Sequence, residues 1–223
     1  LKDEDLNKIQ HDRRIEDILF DTTHYYHSSL TPEVKTYLTD QRKITEETIE
    51  RFLIGYANGG LKKYLTNDRK YSLEHCLQAG VLSNDESGHT HDFFYHRITL
   101  PSFKYGRVIN ISGRVFPEGD PKYLHIRGRP ISLYNQDSLH SKEVLIVEGI
   151  FDCLTAIQHG YSAVALQGVK NFRKEYLLLF QKVETAYICL DGDEAGREGM
   201  RYIGSLLEDK ARIVLLPDGE DPD

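Results

Sequence analysis

Three acidic clusters in the second half of this 223-residue chain are the residues best placed to do chemistry. Glu148-Gly149 follows the apolar run Val144-Leu145-Ile146-Val147, and Asp191-Gly192-Asp193 follows Ala186-Tyr187-Ile188-Cys189-Leu190. A third, Asp218-Gly219-Glu220-Asp221-Pro222-Asp223, comes after Ile213-Val214-Leu215-Leu216-Pro217. A lone Asp-Gly-Asp is an ordinary turn signal. Carboxylates closing three successive apolar runs are harder to explain as solvated turns. Gathered in one place, such groups repel one another unless a cation lies between them. Oxygen donors with no Cys or His beside them select a hard ion, Mg²⁺ or Mn²⁺. On this reading Glu148, Asp191 and Asp193 lie together around one such ion, and the third cluster, which includes Asp221 and Asp223, closes the next strand.

The elements that must gather these groups follow from the pattern. Short runs rich in Val and Ile, alternating with helical segments, predict buried parallel strands in a small doubly wound sheet flanked by helices. Ligands bind at the carboxyl ends of such strands, which is where the acids fall. Helices are expected over Phe151 to His159, about Arg173 to Phe180, and Ala195 to Leu207. Asp152 lies in the first turn of the first of these, where a carboxylate complements the helix dipole.

Upstream, residues 3–30 have helical spacing at Leu6, Ile9, Ile15, Ile18 and Leu19. Thr31-Pro32-Glu33 and Thr45-Glu46-Glu47 are helix starts, and Ser72 caps a short helix that Gly80 stops. From Arg97 the pattern changes to strands, with a hairpin turn at Lys104-Tyr105-Gly106-Arg107. Gly113, inside a strand pattern, marks a bulge or a close backbone approach, and leaves Arg114 beside it to meet a phosphate. Pro121-Lys122-Tyr123-Leu124 and Arg127-Gly128-Arg129 add cations and an aromatic ring, a mixture suited to a single nucleic-acid strand. A core position for Tyr123 is equally open at this point.

A net charge of −7 argues at first against a nucleic-acid partner, but the distribution argues otherwise. Residues 97–129 hold seven Lys/Arg against two Asp/Glu, whereas residues 143–223 hold eight against fifteen. A basic stretch to attract phosphates and an acidic one to hold cations suit a metal-dependent phosphate enzyme.

As a set, Glu148-Gly149, Asp191-Gly192-Asp193-Glu194-Ala195-Gly196-Arg197 and Asp218 to Asp223 resemble the TOPRIM domain in the form found in DnaG-type primases. Gly106-Arg107-Val108-Ile109, Ser112-Gly113-Arg114-Val115 and Pro121-Lys122-Tyr123-Leu124 are similar to the basic subdomain of a primase RNA polymerase core. Ile49-Glu50-Arg51-Phe52-Leu53-Ile54-Gly55-Tyr56 resembles the helical entry to that core. The resemblance covers roughly residues 30–223. It implies an α/β fold: a TOPRIM sheet over 142–223, cut short at its C-terminus, preceded by a helical and basic α+β subdomain over 31–141 and a helical segment over 1–30. It also implies synthesis of short RNA primers on a single-stranded DNA template from ribonucleoside triphosphates, with Mg²⁺ or Mn²⁺, in the cytoplasm. Arg97, Arg114, Lys122, Tyr123 and Arg127 would bind nucleotide or nucleic acid. Asp191 and Asp193 would be catalytic metal ligands with Asp221 and Asp223 as further ligands, Glu148 would be a ligand or the proton acceptor, and Asp152 would support the metal ligands or join them. A longer segment usually separates the Lys-Tyr-Leu motif from the next basic residues, and here Arg127 follows at once, which points to a phage or mobile-element member.

Other readings share parts of this evidence. A TOPRIM nuclease would carry the same acids, a topoisomerase would need a nucleophilic tyrosine in a further domain, and a helicase can carry a non-catalytic primase-like module. The first residue is Leu rather than Met and the last lies inside an acidic motif, as expected for the core of a longer protein; a zinc module and a helicase-contacting region would lie outside it. Cys76, Cys153 and Cys189 are far apart and form no Cys-x-x-Cys pair, so small apolar filler is the expected role. The histidine pairs at His24/His27 and His89/His91 lack further ligands. No run is long and apolar enough to span a membrane.

Overall fold

A computed structural model describes residues 3–220 and 222. The expected ligands Asp221 and Asp223 lie outside the described residues, as do the side chains of Leu6 and Ile9. The chain splits into two compact units: Leu1–Gln41, Ile49–Ser102 and Gly106–Pro130 form one, and Arg42–Thr48, Phe103–Tyr105 and Ile131–Asp223 the other.

In chain order the first elements are α1 (Asp3–Ser28), α2 (Pro32–Thr36), α3 (Glu46–Arg51), β1 (Gly55–Ala57), α4 (Leu61–Lys63) and α5 (Leu73–Gln78). Strands β2 (Leu82–Asn84), β3 (Thr90–Asp92), β4 (Arg97–Lys104), β5 (Arg107–Val115) and β6 (Tyr123–His125) follow. The caps expected from sequence form: Thr31 accepts from the Val34 N–H, Thr45 from Thr48 and Ser72 from His75. Each satisfies a donor that a helix start leaves orphaned.

Strands β1-β4-β5-β6 make one four-stranded antiparallel sheet in that order. Helix α1 lies against it, burying Ile15, Ile18, Leu19 and Tyr26. Gly55 permits that approach: a Cβ there would stand 2.4 Å from the Tyr26 carbonyl carbon. Buried Asp21 fixes the other side of α1, accepting from Arg69 Nε and the Tyr71 hydroxyl, each at 2.7 Å. The histidine-rich stretch at 89–91 enters the short β2–β3 hairpin, closed by Asp85 accepting from the Ser87 and His89 N–H groups.

The second unit is built on β7 (Glu143–Val147), α6 (Ile150–Gln158), β8 (Ala163–Ala165), β9 (Thr185–Ile188), α7 (Glu194–Leu207) and β10 (Ala211–Ile213). The sheet order is β10-β9-β7-β8 and every pair is parallel. From β7 the chain crosses to β8 on one side and then to β9 on the other. The order therefore reverses between β7 and β9, and that gap is where open parallel sheets accept ligands. Val144, Ile146, Val164, Ala186 and Ile188 pack with Met200, Ile203 and Leu207 of α7 in one apolar cluster. Cys153, Leu154 and Ile157 of α6 are buried as expected.

Two expectations need correction. Residues 174–182 wind as successive 3₁₀ turns rather than an α-helix. The run Tyr176 to Phe180 is apolar at every position, so it specifies no helical period; Tyr176 and Arg173 instead bond the Ile131 carbonyl. Strand β10 begins at Ala211, before the apolar run 213–216, and Leu215 is 72% exposed. An edge strand needs only one neighbour, and β10 pairs Ala211 with Ala186.

Candidate acidic site and basic surface

The register of the parallel sheet brings the acidic groups of the second unit together. Ile146 is level with Ile188, so Glu148, two residues beyond one, and Asp191, three beyond the other, leave adjacent strands at the same end. Glu148 is half-buried. Burial pushes its carboxyl up to about 7, aided in turn by Asp191, Asp193 and Asp152, while a hydrogen bond from the Val169 N–H opposes the rise. Three neighbouring acids thus act on Glu148, and their field disfavours its ionised form.

Asp193 caps α7, its Oδ1 accepting from the Gly196 N–H at 2.7 Å. The helix start is drawn tight against the acidic turn: a Cβ at Gly196 would stand 2.1 Å from the Asp191 carbonyl oxygen. Asp152 accepts from the Gly149 N–H at 2.8 Å, closing the first turn of α6 and tying it to the residue after Glu148.

The third acidic stretch is pinned to the second by backbone. Gly192 N–H donates to the Glu220 carbonyl at 2.8 Å, and Gly219 N–H to the Gly192 carbonyl at 3.3 Å. A Cβ at Gly192 would stand 2.1 Å from the Pro217 carbonyl oxygen, so only glycine admits this contact. Arg197 Nη1 donates to the Gly192 carbonyl at 3.0 Å and to Asp218 at 2.8 Å. Sequence alone does not single out Arg197 or the Val169 N–H as site groups. Arg197 sits inside the quoted motif, but only the fold shows that it spans two acidic loops.

The donor set, carboxylate oxygens whose charges act together on Glu148, fits a hard divalent cation. Among the described residues no three His, Cys, Asp or Glu side chains are arranged as a finished cage. The residues that would hold the ion are Glu148 and Asp191, with Asp193 if it leaves its cap.

The basic residues of the first unit meet different fates. Arg97 is 6% exposed, and its Nη1 donates to the carbonyls of Gly113 at 3.3 Å and Pro121 at 2.8 Å. Burial lowers its pKa, with Asp120 opposing. Half-buried Arg114 lies over the Tyr123 ring and donates to its hydroxyl at 3.2 Å. Lys122 is exposed, and exposed Arg127 stands 5.8 Å from the Phe93 ring centre. Arg129 donates to the Ile109 carbonyl at 3.3 Å. Gly113 is a close approach rather than a bulge: a Cβ there would stand 2.4 Å from the Phe94 ring and 3.1 Å from Arg97 Cδ.

Comparison with known proteins agrees with this architecture. Residues 23–136 match the family described as "DNA primase catalytic core, N-terminal domain", and residues 145–223 match "Toprim-like". A DNA primase of Rickettsia felis is 33% identical over 219 residues, covering 89% of this chain and 36% of the relative. The chain thus spans about a third of the length of the curated relatives it matches. The solved Aquifex aeolicus primase, with zinc-binding and RNA polymerase domains, superposes with a TM-score of 0.83 at 28% identity, covering 97% of this chain and 58% of that one. A DnaG primase catalytic domain bound to single-stranded DNA gives 0.81 at 30% identity, covering 96% and 77%.

Proposed function

The chain belongs to the DnaG-type family of primase catalytic cores, and on that footing we propose that it carries the nucleotidyl-transfer site of a DNA primase. The reaction joins ribonucleotides on a single-stranded DNA template: a 3′-hydroxyl attacks the α-phosphate of a ribonucleoside triphosphate and pyrophosphate leaves. The observation that carries the reading is the convergence of Glu148 and Asp191 at the point where the parallel sheet reverses its strand order, with the 217–220 loop held against Gly192.

Each residue has a role in that reaction. Glu148 and Asp191 would hold the divalent cation, Mg²⁺ or Mn²⁺, with Asp193, Asp221 and Asp223 as further ligands. Such an ion, when bound, would supply Lewis-acid chemistry for the attacking hydroxyl and the leaving group. Asp152 and the Val169 N–H fix where the Glu148 carboxylate points, and Glu148 is a ligand or takes the proton of the attacking hydroxyl. Lys122, Arg127 and the Arg114–Tyr123 pair bind phosphates and bases of template or nucleotide.

The test is a template assay with single-stranded DNA, labelled ribonucleoside triphosphates and Mn²⁺. Extended products should depend on template, nucleotides and metal together, and Asp191→Asn should abolish them. Retained synthesis in that variant would sink the reading, and template degradation without nucleotides would move it to a nuclease.

A further inference from the structure

Arg97 is a cation taken out of water to serve two carbonyls. Burying an arginine is costly, and native chains keep one only where its donors are used. Here one guanidinium nitrogen bridges β5 and the start of the segment entering β6, through the carbonyls of Gly113 and Pro121. Each acceptor immediately precedes a basic residue offered as a phosphate contact: Gly113 precedes Arg114, and Pro121 precedes Lys122. The same two segments are paired further along, with Val115 N–H donating to the Lys122 carbonyl at 3.0 Å and Arg114 level with Tyr123. Gly113 lacks a side chain where Phe94 and Arg97 press closest, so the strand accepts the buried guanidinium without displacement.

We propose that Arg97 is a positioning residue: it sets the separation of Arg114 and Lys122, and acts on nucleic acid through them rather than by touching a phosphate. This rests on the nucleic-acid role of Arg114 and Lys122 given above. A neutral residue at 97 leaves two carbonyls without their buried donor and lets the 121–122 segment drift from β5. A lysine keeps the charge but supplies a point donor in place of a planar fork, and restores the bridge only in part.

The test is a mutant cycle in the protein, read by binding of a fluorescent single-stranded oligonucleotide and by amide exchange at Val115. In the wild-type background Arg97→Met should weaken binding about tenfold, the loss of one to two buried donors, and should speed exchange at Val115. In the Arg114→Ala/Lys122→Ala background the same change should alter binding less than about twofold, because its effect is already spent. Arg97→Lys should recover part of both readouts, and it keeps the test usable if Arg97→Met fails to fold. Equal losses in both backgrounds would make Arg97 a direct phosphate contact and overturn the proposal, as would unchanged Val115 exchange. If Arg114→Ala/Lys122→Ala binds as tightly as wild type, the nucleic-acid reading of that pair fails, while Val115 exchange still decides whether Arg97 holds the two segments together.

Discussion

Arg197 and Asp218 are paired at 2.8 Å, and the same guanidinium nitrogen holds the Gly192 carbonyl at 3.0 Å. One side chain on α7 thereby joins the second and third acidic turns. An ion pair this exposed adds only about 0–1 kcal/mol to stability, so its role is to place a loop. Arg197→Met should leave the thermal midpoint within a few degrees of wild type. It should weaken Mn²⁺ binding several-fold, read by electron paramagnetic resonance of free Mn²⁺. A large loss of stability with unchanged Mn²⁺ affinity would make Arg197 a structural tie alone.

Lys122 is exposed on the segment that Arg97 braces, beside the half-buried Arg114–Tyr123 pair. Its ammonium should neutralise one phosphate of a bound single strand. Lys122→Ala should therefore reduce the slope of log affinity against log salt by about 0.7, with little change in stability. An unchanged slope would remove Lys122 from the interface.

His125 lies in β6 with Nδ1 3.0 Å from the Ser112 hydroxyl, and burial depresses its pKa below 6.5. The folded chain thus favours the neutral ring. The resulting stability is present above pH 6.5 and is lost as pH falls through the lowered folded-state value. In urea melts, the difference in midpoint between wild type and His125→Gln should be constant above pH 7 and shrink below pH 6.5. A difference that grows on acidification would reverse the sign of this account.

The sheet of the second unit was legible because its signals are local and mutually consistent. Val144–Val147 and Ala186–Leu190 are short, apolar and closed by Asp-Gly or Glu-Gly, and they become β7 and β9 with their acids at one end. What stayed hidden depended on distant partners. Strand β1 was missed, because Gly55-Tyr56-Ala57 becomes a strand only by pairing with Arg97–Thr99. Arg97 carries the same charge in sequence whether it meets a phosphate or two carbonyls, and only burial separates the two. Gly113 signalled a close approach but not that Phe94 and Arg97 make it. The pinning of the third acidic loop was likewise unreadable, since it runs through the backbone of Gly192, Pro217 and Glu220.

The central claim is that Glu148 and Asp191 share a divalent cation at the end of the parallel sheet. Mn²⁺ titration of wild type, Glu148→Gln and Asp191→Asn tests it most directly. Wild type should bind the ion, and each variant should lose at least about tenfold in affinity, the low end of the loss seen even when only a partner of a metal ligand is removed, while keeping its affinity for single-stranded DNA. Mn²⁺ binding of equal strength in all three proteins would contradict the account.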